Sequence, residues 1–385
     1  MGGFYNVWDY RDAAKRRMPR AFFEFLDRGT EDEAALAANR SALTDVKLRQ
    51  TILQDVRSVD TTTELFGRKL SLPIATAPTG VADIIAYRGE LSVAAAAGKA
   101  GIPYTLATSS TTPMEDVVKA ATSGCWLQMY VWEDRAASYE IADRAERAGM
   151  EALVVTVDAP VLANREYNSR NGFIYPIKAR PRLVADILTH PLWSLQTLGR
   201  YWATGGLPRY ANYPKDLSGK VTGAVPRRAN SASVTWDDIA RFRERWKGKL
   251  ILKGILEPSD AVRAAALGVD AISVSNHGGR MFDAAPSGIE ALPDIVRAVP
   301  ASLAVLYDGG VRRGLDVMRA LAFGAKAVMV GRATLYGVAV SGEAGASHVI
   351  EILASELSRS MALAGKTSIA QIGPECLWPP KELAR

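Results

Sequence analysis

Eight short apolar runs, separated by longer segments of helical periodicity, constrain the fold of this 385-residue chain more than any other feature. Each run has the length of a strand and is almost continuously apolar, as expected for parallel strands that are buried on both faces. Glycines that suit left-handed helix ends precede several of the runs, for example Gly101 and Gly268. The runs occupy residues 71–78, 104–108, 126–130, 152–158, 250–254, 271–275, 303–308 and 327–331.

This repeat predicts an α/β fold, a (β/α)8 TIM barrel, because a strand followed by a helix recurs eight times. A doubly wound open sheet is the alternative, but eight near-regular units in one chain favour closure. Barrels of this kind use such a length as one domain. We therefore expect residues 1–385 to form a single barrel domain.

Two segments lie outside the repeat. Residues 1–60 contain two or three predicted helices, which we expect to cap the bottom or one side of the barrel. Residues 159–234, after the fourth strand, are too long for an ordinary loop between a strand and a helix. Within them lies a basic insertion, residues 170–228, with ten Lys or Arg and two acids and hence a charge of +8, whereas the whole chain carries +6.

The basic insertion interleaves its charge with apolar side chains. Basic residues are attracted to anionic headgroups, and aromatic residues and leucines can enter the membrane interface beside them. We expect the insertion to dock on an anionic membrane surface, with an active-site lid or a subunit contact as the alternative. The apolar side chains are Leu188, Leu192, Trp193, Leu195, Leu198, Tyr201 and Trp202.

Several classes of protein are disfavoured. The chain has no predicted signal peptide and no apolar run long enough to span a bilayer, so we expect a cytoplasmic protein that lies on the inner face of the cell membrane. Two cysteines, Cys125 and Cys376, indicate a reducing compartment, and we expect no metal. There is no GxGxxG motif or Walker loop, which disfavours a nicotinamide or nucleotide site. The basic charge is local, so no nucleic-acid partner is expected.

Polar or ionisable residues end most of the predicted strands. Active sites of such barrels lie at the carboxyl ends of the strands. The last two strands form the usual phosphate-binding corner, and here both are followed by glycine and arginine, whose backbone N–H groups and guanidinium can hold an anion. These residues are Gly309, Gly310 and Arg312 after the seventh strand, and Gly331 and Arg332 after the eighth.

His277 follows the sixth strand directly and is flanked by glycine and arginine. A lone histidine is more often structural, but this position suits a general base with a pKa near neutrality. Asp158, at the end of the fourth strand, could orient His277 and stabilise its charged form. Lys253, at the end of the fifth, could place a cation beside a cofactor that becomes anionic on reduction.

SNHGGR at 275–280, DGGVRRG at 308–314 and GRA at 331–333 together resemble the FMN-dependent 2-hydroxy acid dehydrogenases and oxidases. That family includes glycolate oxidase, quinone-linked L-lactate dehydrogenase, mandelate dehydrogenase and flavocytochrome b2. The resemblance covers nearly the whole chain. Two further segments, GILEP at 254–258 and THPLW at 189–193, look closest to bacterial membrane-associated lactate dehydrogenases.

The resemblance implies roles by position. His277 would be the base, paired with Asp158, and Tyr130 would hydrogen-bond the substrate, whose carboxylate or carbonyl Arg165 and Arg280 would hold. The residues that would contact the isoalloxazine and ribityl parts of FMN are Ala77, Pro78, Thr79, Gln128, Thr156, Lys253 and Ser275. Those that would hold the ribityl hydroxyls and the phosphate are Asp308, Gly309, Gly310, Arg312, Gly331 and Arg332. The family also suggests a homotetramer.

The chain departs from the family at two positions. Phe25 stands where the family usually has a tyrosine that helps to bind the substrate carboxylate, and Ala107 stands where it often has serine. The loss of the Phe25 hydroxyl bears directly on the substrate, unless Phe25 simply packs and the two arginines suffice.

The expected reaction is oxidation of an (S)-2-hydroxy acid, lactate- or mandelate-like, to the 2-oxo acid. Gly80, where family oxidases often carry alanine, favours a quinone or dye over oxygen as the acceptor. A 2-hydroxy lactone such as pantoyl lactone, or an oxygen-using oxidase, stays open as an alternative. More distant alternatives are another FMN barrel, such as an isomerase, and a non-catalytic membrane-surface or nucleic-acid binder.

Overall fold

Eight parallel strands form the centre of the structure, a computed structural model that describes residues 3–173, 180–213, 219 and 231–378. Each predicted run overlaps one strand, and seven neighbouring pairs of strands form parallel ladders. The strands are β1 (Ile74–Thr76), β2 (Tyr104–Ala107), β3 (Cys125–Met129), β4 (Ala152–Thr156), β5 (Lys249–Ile255), β6 (Ala271–Val274), β7 (Ala304–Asp308) and β8 (Ala327–Val330).

The sheet closes on itself. β8 pairs with β1, with Val328 opposite Ile74. Between β1 and β2, the Thr76 N–H donates to the Pro103 carbonyl at 3.0 Å and the Thr105 N–H donates to the Thr76 hydroxyl at 2.9 Å. Small and large apolar side chains from alternate positions fill the interior, as barrels require. The prediction of a TIM barrel is confirmed.

Helices surround the strands, and their apolar positions pack against the barrel. They are Gly89–Lys99, Met114–Ala120, Arg135–Arg147, Trp236–Arg245, Pro258–Ala266, Gly288–Ala298, Gly314–Ala322 and Arg332–Leu363. The last range is two helices joined at a kink, where Ser341 and Gly342 leave the helical backbone conformation.

The N-terminal segment forms the helices Val7–Arg17, Arg20–Asp27 and Ala34–Asp45. They lie along one side of the barrel, at the carboxyl ends of the strands: the Thr30 N–H donates to the Gly279 carbonyl at 3.0 Å. The bottom is closed instead by the hairpin Thr63–Leu65 and Arg68–Leu70, whose Leu65 and Leu70 join the interior core. At the other end of the chain, Lys47–Leu48 pairs with Leu377–Trp378.

The described part of the basic insertion is helical and packs against the N-terminal helices. The carboxylate of Asp186 accepts hydrogen bonds from the N–H groups of Arg20 and Ala21, both at 3.0 Å. Other stretches of the insertion, with Lys178, Lys215, Asp216, Lys220, Arg227 and Arg228, lie outside the described residues. Its helices are Pro181–Leu188, Pro191–Trp193, the π-helical Ser194–Gly199, and Arg200–Thr204, and the helix Glu166–Arg170 precedes it.

Three apolar residues that we expected at a membrane interface are not on the surface. Trp193 is 1% exposed and its indole N–H donates to the Ile85 carbonyl at 2.8 Å. Tyr201 is buried and its hydroxyl accepts from the Arg88 N–H at 3.0 Å, while Leu198 is half-buried against the core. Burying these rings holds the insertion to the body of the protein. No helix among the described residues has the length and apolarity to cross a bilayer.

Candidate active site

His277 lies just after β6, at the mouth of the barrel, with a backbone φ of 58°. This left-handed conformation costs a residue with a Cβ about 1–2 kcal/mol. Gly278 and Gly279, which follow, also have positive φ, at 64° and 71°. A Cβ on Gly279 would lie 2.5 Å from the Leu36 backbone nitrogen. The two glycines therefore allow the loop to turn sharply against the third N-terminal helix, with His277 held over the strand ends.

His277, Asp158 and Tyr130 form one hydrogen-bonded group. His277 Nδ1 lies 2.8 Å from Asp158 Oδ1, and its Nε2 lies 3.5 Å from the Tyr130 hydroxyl. Burial lowers the pKa of His277 below its ordinary value, although the charge and hydrogen bond of Asp158 act to raise it. Burial opposes ionisation of Asp158, but the charge and hydrogen bond of His277 hold the pKa of this carboxyl below its usual value. The imidazole is therefore neutral at physiological pH, with Nε2 able to accept a proton.

A buried ion pair lies beneath this group. Lys253 Nζ lies 2.6 Å from Asp308 Oδ2 and 3.1 Å from the Ser275 hydroxyl, which also donates to Asp308 and accepts from the His277 N–H. Burial would lower the pKa of Lys253, but the charges of Asp308 and Asp158 raise it above its ordinary value. A cation is thus kept at the strand ends.

Further predicted cofactor residues line the same floor. The Gln128 side-chain amide donates to the Thr156 hydroxyl at 2.9 Å. The Ala77 N–H donates to the Val330 carbonyl at 2.9 Å and so joins β1 to β8, and Pro78 and Thr79 follow half-buried. The structure thus brings the residues predicted from β1, β3, β4 and β5 to one face.

The corner after β7 and β8 fits a phosphate. Arg312 is 7% exposed, and its Nε is a buried donor without a partner among the described residues. Gly309 and Gly310 have positive φ, and a Cβ on Gly310 would lie 2.6 Å from the Asn39 carbonyl oxygen. Arg332 donates to the carbonyls of Leu26, Gly278 and Arg28, and burial together with the charge of Arg280 lowers its pKa to about 10. An anion placed here would satisfy an unpaired donor and offset this positive charge.

Arg280 and Arg165, the predicted substrate residues, lie close together. Arg280 Nη1 donates to the Phe25 carbonyl at 2.9 Å, and Arg165 donates to the Arg280 carbonyl at 3.1 Å. Burial and the charge of Arg165 lower the pKa of Arg280 to about 10. The Phe25 ring packs 4.8 Å from the Phe173 ring and 5.4 Å from the Arg280 guanidinium. Phe25 thus supplies an apolar wall at the position where a tyrosine hydroxyl was expected from the resemblance.

Further residues support this site although they lie far from its motifs in the sequence, and they were not predicted. Asn39 donates to the Asn276 side-chain oxygen at 2.8 Å, and the rings of Trp8 and Tyr336 lie 5.8 and 5.5 Å from the Arg312 guanidinium. Asn39 lies on the same helical face as buried Ala35 and Leu43. A polar residue on an apolar face is the feature of the sequence that could have identified it.

A barrel with an arginine–glycine corner that fits a phosphate, a buried lysine at the strand ends and a histidine at its mouth fits a flavin-dependent oxidoreductase. Similarity to known proteins identifies the family. The sequence profile described as FMN-dependent dehydrogenase matches residues 14–379. The chain belongs to this family, its cofactor is FMN, and it is an enzyme that oxidises 2-hydroxy acids.

Among its relatives, L-lactate dehydrogenases of Chromohalobacter salexigens and Stenotrophomonas maltophilia are each 41% identical; the match covers 96% of this chain and 94% and 97% of those proteins. Among solved structures, the monotopic membrane protein (S)-mandelate dehydrogenase superposes with a TM-score of 0.91 at 35% identity, covering 97% of this chain and 99% of that one. A mandelate oxidase with (S)-2-phenylpropionate gives a TM-score of 0.81 at 35% identity, covering 97% and 98%.

Proposed function

We propose that the protein oxidises a bulky or aromatic (S)-2-hydroxy acid, mandelate-like more than lactate-like, to the 2-oxo acid. The single observation that carries this is the pairing of Arg280 and Arg165 with an apolar wall of Phe25 and Phe173. The arginines suit a carboxylate or carbonyl, and the rings suit an apolar substituent. The relatives named for lactate and for mandelate support the substrate class.

His277 is proposed to be the base. Its Nε2 faces the site beside the Tyr130 hydroxyl, so it can take a proton from the substrate, and Asp158 on Nδ1 stabilises the imidazolium that forms. FMN, when bound, supplies the two-electron oxidant. Its phosphate would be held by Arg312, Arg332 and the Gly309–Gly310 and Gly331 backbone. The ring and ribityl chain would be held by Ala77, Pro78, Thr79, Gln128, Thr156, Lys253, Ser275 and Asp308.

The second candidate substrate is a 2-hydroxy lactone of the pantoyl lactone type. It is favoured by Phe25, because a lactone has no carboxylate anion to be held by the missing tyrosine hydroxyl. A substrate panel distinguishes the two. Anaerobic flavin bleaching is measured with lactate, (S)-mandelate and pantoyl lactone. We expect (S)-mandelate to bleach faster than lactate; faster bleaching by lactate would contradict the proposal, and bleaching by the lactone alone would replace it.

The acceptor is proposed to be a membrane quinone, with a dye able to replace it, and not oxygen. Gly80 supports this, because oxidases of the family often carry alanine at the corresponding position. Rapid peroxide formation in air with the preferred substrate would contradict it and indicate an oxidase.

The enzyme is proposed to lie on the cytoplasmic face of the cell membrane through its basic insertion. Four large apolar side chains there are strongly exposed: Leu188 (73%), Leu192 (62%), Leu195 (69%) and Trp202 (77%). Arg180, Arg182 and Arg200 are exposed in the same segment. The mandelate dehydrogenase relative that is described as monotopic supports this proposal.

The assembly is proposed to be a homotetramer, as the resemblance to the family implies. Sedimentation velocity of the FMN-loaded protein in detergent tests it, and a monomeric mass would contradict it.

A further inference from the structure

A cavity of about 210 Å³ lies between the basic insertion, the second N-terminal helix and the loop after β1. Its walls are apolar, with Leu183, Ile187 and Leu198 from the insertion. Its lining also includes Asp83 and Ile84 of the β1 loop. The cavity is separate from the groups around His277.

Two polar side chains interrupt this apolar lining. Thr197 is 3% exposed, and its hydroxyl makes no hydrogen bond with any described residue. It belongs to the π-helical turn Ser194–Gly199, a distortion that is frequent at functional sites. Because Thr197 lines the cavity, its hydroxyl is available to hydrogen-bond a ligand oxygen there.

Asp83 is the second polar group and is 4% exposed. Its carboxyl accepts hydrogen bonds from the hydroxyls of Thr111 and Thr112, at 2.6 and 3.1 Å, and from the N–H of Glu90. No cation pairs with it among the described residues. Burial raises the pKa of Asp83 above its ordinary value.

The cavity connects two regions that the proposed reaction needs. Val184 and Trp202 line it and are also 40% and 77% exposed, so its mouth opens onto the apolar face with Leu188 and Leu192. At the other end, Asp83 lies three residues after Gly80, on the loop whose start is proposed to contact FMN. A ligand with an apolar tail could therefore enter from lipid and bring its head toward that loop.

We propose that this cavity binds the ring of a membrane quinone, with its isoprenoid tail leaving past Val184 and Trp202. This inference rests on the proposed quinone acceptor and membrane docking. The hydroxy acid loses two electrons and two protons when its C–H and O–H become C=O, and the quinone gains two electrons and two protons to become the hydroquinone. No further oxidant is required.

Two cavity variants test the proposal, Thr197→Val and Ile187→Phe, with Val262→Phe on the exposed face of helix Pro258–Ala266 as the matched control. The probe is decylubiquinone, added to the FMN-loaded enzyme in detergent, and its affinity is measured by quenching of tryptophan fluorescence. Thr197→Val should weaken binding roughly fivefold, the loss of a neutral hydrogen bond. Ile187→Phe should weaken it about tenfold or more by overfilling the cavity. The control should bind as the wild type does.

Kinetics separate this proposal from the proposed function. The ratio of quinone-linked to dye-linked turnover should fall in both cavity variants, while anaerobic bleaching reports the substrate half-reaction by itself. The cavity is not the quinone site if decylubiquinone quenches the wild type and neither variant weakens this quenching. The same conclusion follows if an equal concentration of decanol displaces the quinone. If hydroxy acid bleaches the flavin of the wild type but the enzyme never reduces quinone, the proposed acceptor is wrong, and this inference is wrong with it.

Discussion

At the scale of single residues, His277, the proposed base, is held in place by a series of contacts that reaches the floor of the site. The Ser275 hydroxyl links the His277 backbone to Asp308, and Asp308 pairs with Lys253. Asp158 holds the other side of the imidazole and itself packs against Gly254, where a Cβ would lie 2.4 Å from its carboxyl carbon. The position of the proposed base therefore depends on groups from β5, β6 and β7 and on Asp158 after β4.

His277→Gln should slow flavin reduction by the substrate by about 10²–10⁴-fold, the usual contribution of a general base. Glutamine fills similar space but cannot take the proton. Stopped-flow absorbance of the flavin measures the rate of bleaching, and bound flavin is quantified after denaturation. His190→Gln, in the insertion, is the control; a His277 variant that reduces at the wild-type rate would remove this residue from the mechanism.

The acid limb of kcat/KM should reflect His277, because only the neutral imidazole can accept a proton. Its pKa is lowered, so activity should persist below the ordinary histidine range before it falls. Asp158→Asn removes the charge that raises this pKa, so the limb should move to lower pH while the maximal rate drops. The pH profile of flavin reduction measures both, with exposed Asp294→Asn as the control. A limb that moves to higher pH would contradict the assignment.

Phe25→Tyr should restore a donor for the substrate carboxylate. A hydrogen bond to a charged group contributes about 1.5–3 kcal/mol, which is roughly 10- to 100-fold in affinity. We expect KM for hydroxy acids to fall and the preference to shift away from lactones. Phe282→Tyr, at an exposed phenylalanine, is the control. If the ratio of acid to lactone kcat/KM stays the same in Phe25→Tyr, the argument from the missing hydroxyl fails.

Residues at strand ends could be identified from the sequence, since parallel strands bring their carboxyl ends to one face. His277 and Asp158 were paired in this way, although 119 residues separate them. Thr197 and Asp83 could not be identified, because their setting is a cavity formed only when the insertion packs on the β1 loop. No local pattern marks such a contact.

At the scale of elements, the strands were predictable because burial on both faces leaves an uninterrupted apolar run. The first run shows where this signal loses accuracy: residues 71–78 were expected, but β1 covers only Ile74–Thr76. Pro73 and Pro78 flank it and have no N–H to donate to a neighbouring strand.

The packing of the insertion was harder to predict, since the same alternation of aromatic and basic residues suits a helix on the surface and a helix packed against the body of the protein. Tertiary contacts decide it, such as the Trp193 ring 4.6 Å from Phe22 and its indole N–H donating to the Ile85 carbonyl.

Trp193 should be the main anchor of the insertion. Trp193→Ala removes a large buried ring and should destabilise the local structure by about 3–5 kcal/mol. Trp193→Phe keeps most of the packing and loses the hydrogen bond to Ile85, so about 1 kcal/mol is expected. Hydrogen exchange of peptides covering 181–204 measures the local opening, with peptides of β6 as the internal reference. Equal exchange in both variants and the wild type would show that the insertion is held elsewhere.

At the scale of the whole molecule, the N-terminal helices connect the active site with the proposed membrane face. Their third helix contacts the loops after β6 and β7, and their second helix carries the insertion on its amino end through Asp186. The carbonyls of Leu26 and Arg28, at the carboxyl end of the second helix, accept from Arg332. Arg280, a proposed substrate residue, and the insertion are therefore both held by the second N-terminal helix, which would set the orientation of the barrel on a bilayer.

Membrane docking predicts that the protein floats with anionic vesicles at low ionic strength. The interaction should weaken as salt screens the arginines, yet part should persist because apolar side chains also enter the interface. Replacing Leu188, Leu192, Leu195 and Trp202 by serine should reduce vesicle binding by at least about 100-fold, since each side chain contributes up to about 1.5–3 kcal/mol on full burial. Serine at Leu53 and Phe282, which are 97% and 68% exposed elsewhere, provides the matched control. Flotation on phosphatidylserine vesicles measures the bound fraction, and flavin content shows that the variants are folded. If the wild type stays at the bottom of the gradient at low salt, the exposed face contacts another subunit or covers the site, and the membrane placement is wrong.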